Sequence, residues 1–267
     1  MEERLISLLS IRVATWNVHS CIGTDGRKDP RRTLAVLQEL DADVIALQEV
    51  DCDGADSLAA LGALHSEVLL GPACRRRVGF GNAIISRFPV EHMRVHDLSV
   101  EGFEARNVVD LQLRVGDVRL RVLATHFGLD RRERRTQAER LAAIVDDVEA
   151  PALHSAAWRP ADLTVMLGDL NVFDRQEASV APLLARFAPA FRVRSFPAFL
   201  PVLRLDRVLV SAPAVVAVAS HRSRLARVTS DHLPVIGTAV WNPAARLHPL
   251  PGAVEATLAG RLRDHGL

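Results

Sequence analysis

The stretch Asp43-Val44-Ile45-Ala46-Leu47-Gln48-Glu49 is apolar on both faces for four residues and turns polar only at its C-terminal end. A strand with one wet face alternates; one covered on both sides does not, so this stretch reads as a central strand. Upstream, Ile11-Arg12-Val13-Ala14-Thr15-Trp16 alternates and carries enough β-branched residues for a second strand. Between them lie a Gly-rich loop, Ile22-Gly23-Thr24-Asp25-Gly26, and then Asp29-Pro30, an N-cap followed by proline at the first helical position. Leu34, Leu37 and Leu40 keep one face of that helix apolar as far as Asp41. Strand, helix and strand in this order form a crossover unit.

Working outward, a helix is expected around Ser57 to His65. Strand signals then recur at Asn82–Ser86, Val90–Leu98, Val108–Val115 and Val118–Thr125, as in an antiparallel meander. A helix over Arg131–Val148, capped by Asp130, carries Leu141, Ile144, Val145 and Val148 on one side. Further strands fit Leu163–Leu167, Arg207–Val210, Val215–Ala219 and Pro234–Trp241. Many strands with a few long helices point to two mixed sheets packed face to face with helices outside. No linker interrupts the series, so one domain is expected over residues 10 to 242. The segment 243–267, with Pro243, Pro249 and Pro251, reads as a detachable tail; Val254, Leu258 and Leu262 predict a short helix from Gly252 to Leu262.

The 267 residues are 49 % apolar and 24 % charged, which excludes collagen-like, disordered and coiled-coil classes. Lys plus Arg is 33 against 32 for Asp plus Glu, so no strongly basic nucleic-acid coat is present. Apolar runs are strand-sized, and no membrane span is expected. Cys21, Cys52 and Cys74 are odd in number and lack a CxxC pair, a poor framework for disulfides or zinc. Glu2 and Glu3 stand where a secretory leader needs positive charge. A reduced, monomeric, cytoplasmic protein is the expectation. Arg75-Arg76-Arg77 and the run Arg131, Arg132, Arg134, Arg135 read as solvated faces, although cations at a helix start oppose the helix dipole. Histidines without a motif, His92, His96 and His221 among them, read as surface.

The polar residues that end apolar strands make a short set: Trp16-Asn17, Gln48-Glu49, Thr125-His126, Gly168-Asp169-Leu170-Asn171, Leu205-Asp206-Arg207 and Ser230-Asp231-His232. A fold that gathers these ends at one rim creates a cluster of carboxylates, amides and imidazoles. Glu49, Asp231, Asp169, Asn17 and Asn171 are hard oxygen donors, which select Mg²⁺ or Mn²⁺ over zinc. His126 and His232 beside them suit acid–base or transition-state roles.

In this order, WN, QE, GNAIISRFPV, THFGL, GDLN, LDRV and SDH resemble the endonuclease/exonuclease/phosphatase family, from about Arg12 to about Trp241. The resemblance implies a four-layer α/β/β/α sandwich of two packed mixed β-sheets, deoxyribonuclease I-like, and a Mg²⁺- or Mn²⁺-dependent phosphoester hydrolase. It implies that Glu49 is the main metal carboxylate, with Asn17 and Asp231 around the ion. Asp169 matches the carboxylate that orients or deprotonates the attacking water, and Asn171 the amide that holds phosphate and water. His232 matches the imidazole facing the scissile phosphate, and Asp206 its orienting partner. His126 matches a second imidazole near the phosphate; Asn82 and Arg106 match residues that contact phosphate or orient catalytic groups. His19 stands where several members carry an acid, which favours a single ion anchored by Glu49.

Specificity lives in loops, so the motifs leave the substrate open. Near-neutral charge, twelve aromatics and no tyrosine count against duplex-DNA repair. The order of expectation is a small or lipid-headgroup phosphodiester first, nucleic acid second and a phosphomonoester third. A catalytically inactive binding module is the remote alternative.

Overall fold

The computed structural model describes residues 8–51, 67–72, 80–147, 160–173, 177–211 and 213–242. The helices expected at Ser57–His65 and Gly252–Leu262, Cys52, Cys74 and the run Arg75-Arg76-Arg77 lie outside the described residues.

Strands β1 (Leu9–Asn17) and β2 (Val44–Asp51) are parallel, joined by α1 (Pro30–Leu40). As the sequence predicts, Asp29 caps α1, its side chain accepting from the backbone N–H of Arg31 and Arg32. The buried face is Thr33, Val36, Leu37 and Leu40, while Leu34 is half-buried. Antiparallel strands complete this sheet in the order β10–β11–β1–β2–β4–β3, where β3 is Glu67–Pro72, β4 Phe80–Ser86, β10 Val215–Ser220 and β11 Val235–Trp241. The second sheet runs β5–β6–β7–β8–β9: Val90–Asp97, Asn107–Val115, Val118–His126, Leu163–Asp169 and Asp206–Val210. Its one parallel pair, β7 and β8, is joined by a segment containing α2 (Arg131–Asp147). Two short helices, α3 (Ala181–Leu184) and α4 (Ala226–Thr229), lie in the later loops.

Strand alternation builds the layers. Val13, Ala46, Ile84, Val122 and Val165 meet between the sheets in the central core. Their sequence neighbours Ala14, Ile45 and Ile85 pack on α1, whereas Leu123 and Met166 pack on α2. The result is two sheets face to face with helices outside. The predicted meander holds for β5, β6 and β7 only, because β4 belongs to the other sheet. Ile84 faces one core and Ala83 and Ile85 another, so β4 needs cover on both sides. By contrast β5 alternates half-buried and exposed residues, as an edge strand does.

The cationic start of α2 has a structural explanation. The Asp130 side chain accepts from the N–H of Arg132 and Glu133. Arg134 is buried and turns back to donate to the carbonyls of Gly128 and Leu129, while Gln137 accepts from the Gly128 N–H. A Cβ on Gly128 would lie 1.8 Å from the Glu133 carboxylate, so any larger residue here has to displace that side chain. Cys21 is a buried free thiol. Among the described residues no helix is long and apolar enough to cross a membrane.

Candidate active site

Parallel pairing puts two strand C-termini at one edge, and antiparallel neighbours bring their N-termini to it. Asn17 pairs with Gln48 at the end of β1/β2, and His126 with Asp169 at the end of β7/β8. Asp206 opens β9 opposite Asp169, and Asp231 and His232 lead into β11. Gly168 permits this approach: a Cβ there would lie 2.2 Å from the Thr125 carbonyl oxygen. Every predicted site residue except Asp206 lines one cavity of about 430 Å³. Asp206 stands behind His232.

Two backbone irregularities aim side chains into the cavity. The β2–β4 register shifts between Leu47 and Val50, and Glu49 within that bulge has φ +54°. Asn171 has φ +49°. The left-handed region is tolerable for asparagine and costly for glutamate, so strain is stored at Glu49.

His232 Nδ1 lies 3.0 Å from Asp206 Oδ2, and its Nε2 is 3.7 Å from Asp169 Oδ2. The ring packs against Phe196 at 4.8 Å between centroids. Its backbone is held by Ser230 Oγ, which accepts from the N–H, and by Trp16 Nε1, which donates to the carbonyl. Burial opposes charge on this imidazole, but the Asp206, Asp169 and Asp231 carboxylates outweigh it and raise its pKa to about 10.

His126 behaves in the opposite way. Burial, reinforced by the Arg106 guanidinium and only partly opposed by Asp169, lowers its pKa to about 3. Its Nδ1 is 3.3 Å from Arg106 Nη1, a group that can only donate. The other ring nitrogen, Nε2, also faces a donor, Asn171 Nδ2 at 3.2 Å, with Asp169 Oδ2 at 3.7 Å and Glu49 Oε1 at 4.0 Å, so donors press on the ring from both sides and disfavour its charged form. One imidazole is cationic and the other is neutral.

The amides join the carboxylates. Asn17 Nδ2 donates to Glu49 Oε1 at 2.8 Å and reaches Asp169 Oδ2 at 3.2 Å, while its oxygen accepts from the His19 N–H. Asn171 donates from Nδ2 to the Phe127 carbonyl, and its backbone N–H binds Asp169 Oδ1. Asn82 is buried and donates to Asn107 Oδ1 across the two sheets. Arg106 also pairs with Glu104, at 3.1 Å. His19 sits on the rim, its Nδ1 3.8 Å from Asp231 Oδ1. Sequence reading gave no role to Leu129, Phe173 and Phe196, which line the cavity from loops; Leu129 ends the THFGL motif, and the two phenylalanines carry none. It also gave no role to Ser230, whose hydroxyl binds the Asn17 carbonyl and the His232 N–H. Two motif-free histidines make specific contacts: His96 lies 3.3 Å from the buried Asp110, and His221 is 2.7 Å from Glu39.

Known proteins resemble this chain in sequence and in fold. Uncharacterized protein YbhP of Escherichia coli (strain K12) is 29 % identical over 253 residues, covering 85 % of this chain and 94 % of that one. An endonuclease/exonuclease/phosphatase of Beutenbergia cavernae superposes with TM-score 0.63 and 25 % identity, over 86 % of this chain and 71 % of the other. A mannosyl-6-phosphatase of Bacteroides thetaiotaomicron shares the fold, with TM-score 0.65, 18 % identity, and 86 % and 100 % coverage. The profile of the Endonuclease/Exonuclease/phosphatase family matches residues 14–232, and the chain belongs to that family.

Proposed function

We propose that the chain is a divalent-metal-dependent phosphodiester hydrolase acting on small or lipid-type phosphodiesters. The observation that carries this reading is the convergence of a buried Asp206–His232 pair with Glu49, Asp169 and Asp231 on one cavity.

The residues fit a Mg²⁺ or Mn²⁺ ion. Glu49, Glu104, Asp169 and Asp231 line the cavity against Arg106 and a protonated His232, leaving an excess of hard, anionic oxygen. Asp169, Asp206 and His232 also lie close enough to share an ion. We favour Glu49, with Asp231 and Asn17, as the ion's surroundings, since Asp206 is wholly buried and already engaged with the imidazole. When bound, the ion would offset the charge of the phosphate and of the leaving oxygen.

The chain's own groups supply the rest. Asp169 orients the attacking water and accepts its proton. The Nε2–H of His232 faces the same carboxylate and is placed to donate to a phosphate oxygen as negative charge develops. Asp206 fixes the hydrogen on Nε2's partner nitrogen and stabilises the imidazolium. His126 stands as a neutral imidazole beside the phosphate, held between Arg106 and Asn171. Asn171 holds phosphate and water, and Asn82 and Arg106 contact phosphate or position its neighbours.

The cavity mouth supports an amphipathic substrate. Leu129 is 68 % exposed and Phe173 47 %, yet both line the cavity. Apolar side chains at a polar site favour a substrate with an apolar arm. The test is hydrolysis of bis(p-nitrophenyl) phosphate with and without chelator, then of glycerophosphodiesters, sphingomyelin, nicked and abasic DNA and p-nitrophenyl phosphate. Metal-dependent turnover of the diester and of lipid or small substrates is expected. Turnover confined to DNA or to monoesters overturns the substrate assignment, and no turnover at all overturns the enzyme.

A further inference from the structure

We infer that the hairpin over residues 196–203, with the arginines beside it, docks the protein onto an anionic lipid surface. This deepens the lipid-type reading of the site while resting on different residues.

The hairpin is built to hold its shape. The N–H groups of Val202 and Leu203 donate to the Phe196 carbonyl, Leu200 donates to Pro197, and Ser195 donates to Leu203. On this fixed frame Phe199 is 68 % exposed, Leu200 63 % and Val202 53 %. Such groups at a rigid tip are costly in water and have no intramolecular cover. The base of the hairpin reaches the active site: Phe196 packs on the His232 ring, and the N–H of Ala198 donates to the Asp231 carbonyl.

The surroundings are strongly cationic. Phe191 to Leu205 and His221 to Val228 together hold six arginines and no aspartate or glutamate, in a chain that is nearly neutral overall. The two segments touch, because Arg227 donates to the Phe199 carbonyl. Arg192 is paired with Glu177. Arg194, Arg204, Arg222 and Arg224 are exposed. Apolar side chains that enter the acyl boundary while arginines remain among lipid phosphates match the chemistry of an anionic bilayer surface. A nucleic acid would use the arginines and stack on Phe199, but it would leave the aliphatic Leu200 and Val202 in water, whereas a bilayer covers all three.

The experiment is sedimentation of the full chain with vesicles of phosphatidylcholine containing about one third phosphatidylglycerol. Pure phosphatidylcholine vesicles and a single-stranded oligonucleotide serve as alternative ligands. Wild type should bind the anionic vesicles, and the double variant Phe199→Ser/Leu200→Ser should bind at least about tenfold more weakly. Arg204→Gln/Arg224→Gln should weaken binding and flatten its salt dependence. Unchanged melting temperatures control for the fold. Light scattering reports any dimer formed through the same face. Vesicle binding that survives both double variants overturns the proposal, as does failure to bind them, preference for the oligonucleotide, or a dimer that Leu200→Ser dissolves. Vesicle binding without lipid hydrolysis would retain the docking surface and defeat the substrate assignment, so the two failures are distinguishable.

Discussion

His232 and Asp206 lie 3.0 Å apart, Nδ1 to Oδ2, although one leads into a strand of the first sheet and the other opens a strand of the second. Neither sheet alone makes this pair. The packing of Val208 against Gly237, between β9 and β11, sets the separation: a Cβ at position 237 would lie 2.6 Å from the valine methyl. Because the two groups act as one unit, their removal should be far from additive. His232→Asn should lower turnover by roughly 10²- to 10⁴-fold. Asp206→Asn preserves shape and loses the carboxylate that selects the tautomer, so it should also cost activity. The double variant should be little worse than His232→Asn. Multiplicative losses in steady-state kinetics would break the dyad.

The two site histidines should shape stability in separate pH windows. The His126 pKa is about 3 when folded, so between roughly pH 6.5 and 3 the unfolded chain binds a proton that the native chain does not. Stability contributed here falls as pH falls. The His232 pKa is about 10 when folded, so its contribution is complete below roughly pH 6.5 and is lost as pH rises towards 10. Melting curves should show His126→Asn flattening the acidic limb and His232→Asn flattening the alkaline limb. The same slope change from both variants would contradict the assignment of opposite charge states.

At Glu49 function and stability should oppose each other. Glu49→Gln should abolish metal-dependent turnover and leave the fold intact. Glu49→Gly should also be inactive, yet it relieves a left-handed backbone cost of order 1–2 kcal/mol and should melt no lower than Glu49→Ala. Full activity of Glu49→Gln at limiting metal would remove the residue from the ion's surroundings. A glycine variant less stable than the alanine one would show that the bulge is unstrained.

Much of this site was legible because strand ends are legible. An apolar run that turns polar, as in Val44–Glu49 or Leu163–Asp169, announces both the strand and the residue at its rim. What escaped was decided at long range. The bulge that turns Glu49 inward exists only in the pairing of β2 with β4. Nothing local tells β4 from β5 as members of different sheets. The short edge strand β3, Glu67–Pro72, contains glycine and proline and gives little signal. Phe196 is one more aromatic in a proline-containing loop until His232 lies against it. Arg134, read as part of a wet face, is buried because it folds back onto the carbonyls of Gly128 and Leu129 in the loop after His126.

A buried ion pair far from the chemistry should carry much of the attachment of α2. Arg121 Nε donates to Asp110 Oδ1 at 3.0 Å and Nη2 to Oδ2 at 2.7 Å, with both side chains almost wholly buried. Nη2 also donates to the Ile144 carbonyl at 3.1 Å, tying β7 to the last turns of α2. Burial would raise the Asp110 pKa, but hydrogen bonds from His96 and Arg121 outweigh it and hold the carboxyl below its usual range. Arg121→Met therefore strands a buried carboxylate and the Ile144 and Val145 carbonyls, and should cost about 3–5 kcal/mol in denaturant unfolding at neutral pH. The sign of its pH dependence follows from the same contact. A carboxyl held low stabilises the wild type above its unfolded pKa, and that gain disappears as acid protonates it. The loss in Arg121→Met should accordingly shrink below roughly pH 4. Adding Asp110→Leu should restore more than half of the lost stability, because no unpaired charge remains to be buried. A double variant as unstable as the single one would mean that the helix carbonyls, and not the stranded carboxylate, dominate the cost.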